Sequence, residues 1–133
     1  KNPPQIEGFL LQEMAPKGHE FIVGGRQDAA FGPVVIAGLG GIYVELFKDR
    51  AIRLAPITKS IALDMIQQLK SHKLFSGFRG SPPLDIDAFA DIVCRVAHLL
   101  YTHPDIQEID LNPVIVHEKG RGASIVDARV FFG

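Results

Sequence analysis

Three oxygen-bearing side chains carry the most pointed chemistry in this sequence: Asp110, Asn112 and Asp127. Asp110 and Asn112 lie in Glu108–Val116, a run rich in β-formers, where alternation places both on one face of a strand. A second such run, Ser124–Arg129, follows the polar turn Glu118-Lys119-Gly120-Arg121-Gly122. A hairpin would return Asp127 to the side of Asn112. The result is a set of hard oxygen ligands with few charges. Mg²⁺ suits such a set when it is shared with a nucleotide's phosphates, because it keeps several waters and takes only one or two protein carboxylates. The plain alternative is a group of solvated turn neighbours, since turns commonly carry Asp and Asn. Residue types alone leave both readings open.

Other stretches offer partial chemistry. Gln12-Glu13-Met14 ends an apolar run, and a strand leaving its sheet there frees an N–H and a C=O for the edge of a purine. Met14 would pack near the ring. Glu13 or Glu20 could reach ribose hydroxyls or, through a metal, phosphate. The alternative is an ordinary strand end. Gly38-Leu39-Gly40-Gly41 could turn backbone N–H groups toward an anion, or simply make a bulged hairpin turn. It is neither a Gly-x-Gly-x-x-Gly pattern nor a P-loop. Arg79, in a Gly-Ser-Pro loop, could clamp a phosphate or carboxylate, or be solvated. The histidines His19, His72, His98, His103 and His117 show no metal spacing. No nucleophile–base pair is read among them. Cys94, among Ile92, Val93, Val96 and Ala97, reads as an inert core thiol.

The elements that must position these residues follow from periodicity. Strands are expected over Gly8–Met14, His19–Gly25 with Arg26-Gln27-Asp28 continuing, Pro33–Gly38, Ile42–Phe47 and Ala51–Pro56. The period then changes. Ile61, Met65, Ile66 and Leu69 mark a helix from Thr58, its N-cap, to Lys70. Ser71–Pro83 reads as a loop. Asp85–Tyr101 is the clearest helix, with a stripe of Phe89, Ile92, Val93, Val96, Leu99 and Leu100, closed by Pro104. The opening hairpin ends the order. The expected fold is α+β: a mostly antiparallel sheet with two helices on one face.

Bulk composition narrows the function classes. The 133 residues suit one domain with a real core. With 14 basic and 15 acidic residues and a net charge of −1, nothing marks a duplex nucleic acid or anionic membrane partner. No apolar run is long enough to span a bilayer. The lone cysteine excludes an internal disulfide framework, and a cytoplasmic location is the simplest expectation. The chain opens on Lys1-Asn2-Pro3-Pro4 rather than Met, which reads as a cut inside a linker, so residues 1–133 are expected to be one partial domain of a longer protein.

In register, the motifs resemble a known family. The run from Phe9 to Gly24 looks like the hinge and first strand of the second lobe of an ATP-grasp domain. Phe31-Gly32-Pro33-Val34-Val35 and Gly38-Leu39-Gly40-Gly41-Ile42-Tyr43-Val44-Glu45 resemble signatures of ADP-forming (NDP-forming) acyl-CoA synthetases. Arg53-Leu54-Ala55-Pro56, Gly77–Pro83, Asp110–Val116 and Val126-Asp127-Ala128-Arg129 follow in the family's order. The resemblance implies an acid–thiol ligase of acetate type, which interconverts acyl-CoA, ADP and phosphate with acid, CoA and ATP through an acyl phosphate and a phosphohistidine. It implies ATP or ADP with Mg²⁺ as cofactors, and Asn112 and Asp127 as metal ligands. Asp110 would face the phosphohistidine where a related synthetase has a longer Glu. Gln12, Glu13 and Met14 would form the adenine hinge, with Glu20 near ribose and phosphates. The preceding lobe and the CoA-binding domains or subunit are implied partners, and self-association through an uncovered apolar face is an open alternative. A second implied reading is a regulatory ligand-binding region of the kind fused to bacterial protein lysine acetyltransferases.

Overall fold

Strict alternation in the first long strand sets the two faces of the sheet. The computed structural model describes residues 2–41 and 48–133. Strand β1 (His19–Asp28) buries Phe21, Val23 and Gly25 and turns Glu20, Ile22, Gly24 and Arg26 the other way. A Cβ at Gly25 would strike the Val34 carbonyl and the Leu100 side chain, so only glycine lets β1 pass there. The Asp28 carboxylate accepts from the N–H groups of Ala30 (2.9 Å) and Phe31 (3.0 Å), closing the turn into β2 (Gly32–Leu39). Strand β3 (Arg50–Leu54) pairs with β2. The expected strand Ile42–Phe47 lies outside the described residues.

Helix α1 (Lys59–Gln67) starts at Thr58, whose hydroxyl accepts from Ile61 N–H at 3.3 Å, as the capping signal predicts. Helix α2 (Ile86–Thr102) is capped by Asp85 and buries Phe89, Ala90, Val93, Val96, Ala97 and Leu100. Three further strands follow: β4 (Ile106–Val116), β5 (Ala123–Ile125) and β6 (Ala128–Phe132). The sheet runs β3-β2-β1-β4-β5, with β6 also on β4, and every described pairing is antiparallel. Helix α2 packs on β1, β2 and β4, and α1 on α2, β2 and β3, so both helices cover one face, as expected. At the centre the rings of Phe21, Phe75 and Phe89 meet with centroids 4.9–5.8 Å apart.

Three expectations fail. The run Ser124–Arg129 is not one strand: it breaks at Val126-Asp127, between β5 and β6. Gly8–Met14 is not a strand: residues 2–16 carry no regular structure, and Phe9, Leu10, Leu11 and Met14 are 83–98% exposed. An apolar run becomes a strand only where a neighbour accepts its N–H and C=O groups, and this one lies off the sheet. Ser71–Pro83 is not wholly a loop, because Lys70–Ser76 forms a 3₁₀ helix. Its exposed N–H groups find a distant acceptor: the buried Asp49 carboxylate takes bonds from Lys70 (2.6 Å) and Ser71 (2.8 Å).

Candidate nucleotide and metal site

The uncovered face of the sheet carries the candidate residues of β1 and β4, and an irregularity in β4 decides which of its residues face outward. Phe21 pairs with Val114 and Val23 with Leu111, so Ile22 of β1 stands opposite two residues of β4, Asn112 and Pro113. That bulge shifts the phase of β4 so that Leu111 and Val114 both point into the core. Asn112 is left exposed, and its N–H donates to the Asp127 carbonyl at 3.1 Å. Val126 N–H returns a bond to the Pro113 carbonyl, also at 3.1 Å. The backbones of Asn112 and Asp127 are therefore hydrogen-bonded neighbours, as the hairpin reading expected, with Asp127 in the break between β5 and β6.

Asp110 lies one step along, half-buried, opposite Gly24 on β1 and Arg129 on β6. Gly24 has no side chain, and a Cβ there would come within 2.8 Å of the Ile109 carbonyl. The gap leaves a hollow of ≈ 220 Å³ beside Asp110, lined also by Ile22, Arg26, Ile36, Arg50 and Glu108. The ion pairs among the described residues, Arg26–Asp28 and Lys59 with Asp87 and Asp91, leave Asp110 and Asp127 untaken. No group of three or more His, Cys, Asp or Glu side chains among the described residues could enclose a metal by itself. Two carboxylates and an amide oxygen on an open surface fit a cation that completes its shell with water and a ligand's phosphates. They do not fit a closed structural centre.

The expected hinge faces the same hairpin. Gln12, Glu13, Met14, Ala15 and Pro16 form one wall of a cleft of ≈ 530 Å³, and Ser124, Ile125 and Val126 form the other. Asp127 is the next residue after that second wall, so the cleft leads to the oxygen cluster. Glu20, exposed at the start of β1, lies at the glycine run: its carbonyl accepts from Gly40 N–H at 2.9 Å, and a Cβ on Gly41 would sit 3.1 Å from its carboxylate. Gly41 has φ +84°, and a Cβ on Gly40 would come within 3.0 Å of the Phe21 backbone. Glycine is required there by close approach. Arg79 is not brought to these residues by any described contact; its guanidinium rests 5.2 Å above the Phe78 ring.

The hairpin is anchored from behind. Asp85 caps α2 through Ala88 N–H (3.1 Å) and also accepts from Gly120 (3.1 Å) and Gly122 (2.9 Å) in the β4–β5 turn. Burial pushes this carboxyl up, but the N–H donors of Ala88, Gly122 and Gly120 together outweigh it and hold Asp85 below its ordinary range. Cys94 is half-buried against the core, and burial raises its thiol, consistent with an inert side chain.

One pairing escaped the sequence reading. His117 is buried, and its Nε2 lies 2.8 Å from the Ser124 hydroxyl, so a histidine does have a serine partner. The two are in the ends of β4 and β5 that the turn folds together; only the hairpin register identifies them. Of the others, His72 turns Nδ1 to the Leu69 carbonyl (2.8 Å) and His103 turns Nδ1 to the Thr102 hydroxyl (2.9 Å), both local contacts.

Known proteins resemble this chain in sequence and in fold. The ATP-grasp domain family matches residues 1–132. Acetate–CoA ligase (ADP-forming) I of Archaeoglobus fulgidus is 46% identical over 129 residues, 97% of this chain and 18% of that protein. The beta subunit of acetate–CoA ligase (ADP-forming) I of Pyrococcus furiosus is 46% identical over 130 residues, 98% of this chain and 55% of the subunit. Among solved structures, the Candidatus Korarchaeum cryptofilum dinucleotide-forming acetyl-coenzyme A synthetase 1, in complex with coenzyme A and Mg-AMPPCP, superposes with a TM-score of 0.87 at 45% identity, covering 92% of this chain and 56% of that one. The chain thus spans from about a fifth to just over half the length of these relatives.

Proposed function

Since this chain belongs to the ATP-grasp domain family, we propose that it is the nucleotide- and Mg²⁺-binding lobe of an ADP-forming acyl-CoA synthetase. The whole enzyme would convert acyl-CoA, ADP and phosphate to acid, CoA and ATP, reversibly. The observation that carries this reading is the pairing of β4 with the run from β5 into β6, which sets Asn112 beside Asp127, one residue past the cleft lined by Gln12–Pro16 and Ser124–Val126.

The roles follow from position. Free backbone groups of Gln12–Met14 would take the edge of the adenine ring, with Met14 against its face. Glu20, beside Gly40 and Gly41, would meet ribose and phosphates. The Asn112 amide oxygen and the Asp127 carboxylate would hold Mg²⁺. When bound, the ion supplies charge neutralisation across the phosphate oxygens. Asp110, next to the hollow at Gly24, would orient the histidine that exchanges the phosphoryl group. The relative from Candidatus Korarchaeum is described with a phosphohistidine segment pointing towards its nucleotide-binding site; that histidine is assigned to none of the five in this chain. The CoA-binding domains or subunit would be the partner that delivers it. The three relatives are ligases or synthetases, which gives the regulatory, acetyltransferase-linked reading no support.

The test is calorimetric ADP binding by the intact protein, with and without Mg²⁺. In an Asn112→Ala/Asp127→Ala variant the Mg²⁺-dependent gain in affinity should vanish while the metal-free affinity persists. A variant whose Mg²⁺ dependence matches the parent would remove the metal assignment.

A further inference from the structure

Behind the cleft, one buried side chain ties its two walls together. His117 is only 5% exposed although its ring is polar. Its Nδ1 lies 3.1 Å from the Lys17 carbonyl, one hundred positions away in sequence, and its Nε2 lies 2.8 Å from Ser124 Oγ. A carbonyl can only accept, so Nδ1 carries a proton, and in the neutral ring Nε2 then accepts from the Ser124 hydroxyl. Lys17 directly follows the hinge wall Gln12–Pro16, and Ser124 belongs to the opposite wall. The backbone that carries the ring is itself fixed, because His117 N–H donates to the Gly122 carbonyl (3.0 Å) and its carbonyl accepts from Asp85 N–H (2.9 Å).

Among the described residues, no hydrogen bond of this kind holds the rest of the hinge. Gln12, Glu13 and Met14 carry no regular structure and are exposed, with Met14 at 87%. Just beyond Lys17 the backbone is clamped: a Cβ on Gly18 would come within 2.5 Å of the Val116 carbonyl, and His19 enters the sheet opposite Val116. The unpaired hinge therefore joins the sheet at Lys17, and the two bonds of His117 fix that junction relative to Ser124.

We propose that His117 is a positioning residue for the nucleotide cleft, setting the separation of its two walls through the Lys17 carbonyl and the Ser124 hydroxyl. This rests on the reading of the cleft as the purine site. A cleft held at fixed width needs no ordering when the base enters, so the effect belongs in nucleotide affinity rather than in the chemical step.

The experiment compares His117→Phe, which keeps the ring and removes both bonds, with His117→Asn, whose amide can still donate to Lys17. Hydrogen exchange of residues 12–18 and the KM for ADP are read in the intact protein. His117→Phe should speed hinge exchange and raise the ADP KM, each by about tenfold, the scale of losing a buried hydrogen bond. Its kcat should change by less than about twofold. His117→Asn should recover most of both effects. Unchanged hinge exchange in His117→Phe overturns the proposal. Faster exchange with an unmoved KM also overturns it, provided that Met14→Arg, which obstructs the cleft, raises the KM. A KM indifferent to both variants removes the purine site, and the proposal with it. Should His117→Phe fail to fold, Ser124→Ala serves: it removes one bond and should raise the KM by about threefold, and no rise overturns the proposal.

Discussion

Asp85 joins two elements with one carboxylate, the first turn of α2 and the β4–β5 turn behind the cleft. Removing it strands three N–H groups, so Asp85→Ala should lower stability by about 1–2 kcal/mol in urea unfolding. The pH dependence follows from the sign of the shift. The folded carboxyl titrates below its ordinary value of 3.8, so the contribution is fully present above that value and is lost as pH falls through the lower, folded one. The stability difference between the parent and Asp85→Asn should hold through neutral pH and shrink below about pH 4. The same scale separates what residue types reveal from what they hide. Thr58 was readable as a cap, because capping is local. Asp49 was not, because the N–H groups it accepts from lie twenty-one and twenty-two positions downstream.

Among the elements, the Phe21–Phe75–Phe89 cluster joins β1, the 3₁₀ helix and α2. Phe89 is fully buried there, and Phe89→Ala should cost about 3–5 kcal/mol, measured as a lowered denaturation midpoint. Phe131 on strand β6 is half exposed, and Phe131→Ala should change stability by under about 0.5 kcal/mol. An equal loss at both positions would mean that β6 is covered in solution. Both helices and strands β1–β4 were legible from periodicity, because each buries one face. The run read as one strand, Ser124–Arg129, breaks at Val126-Asp127 into β5, which has no buried residue, and β6. The sixth, Ala128–Phe132, is wholly exposed and shows no alternation of burial. The lead-in failed for the converse reason: Gly8–Met14 has the composition of a strand but no partner to complete its backbone bonds. The β4 bulge was equally invisible, because it exists only relative to the register of β1.

At the scale of the molecule, the cleft and the oxygen cluster occupy an open surface. Site residues from the hinge, β1, β4 and the run into β6 share that surface, and the helices are all behind it. The relatives of the same family are from just under twice to more than five times as long as the stretch this chain matches. The 133 residues alone should therefore show no acyl-CoA-dependent ATP formation in a coupled assay, and measurable turnover would overturn the assignment of the remaining catalytic groups to other parts of the enzyme. The sequence by itself determined the α+β class, the helix-covered face and the family, because periodic burial and motif order are properties of the chain read in line. It also put Asn112 and Asp127 forward, through residue type and a foreseeable hairpin. Only the tertiary structure decided that a bulge against β1 leaves Asn112 exposed between the buried Leu111 and Val114, that the hinge faces Ser124–Val126, and that His117 spans the gap behind them. Each of those facts is a contact between segments far apart in the chain, fixed by strand register and backbone approach rather than by any local preference.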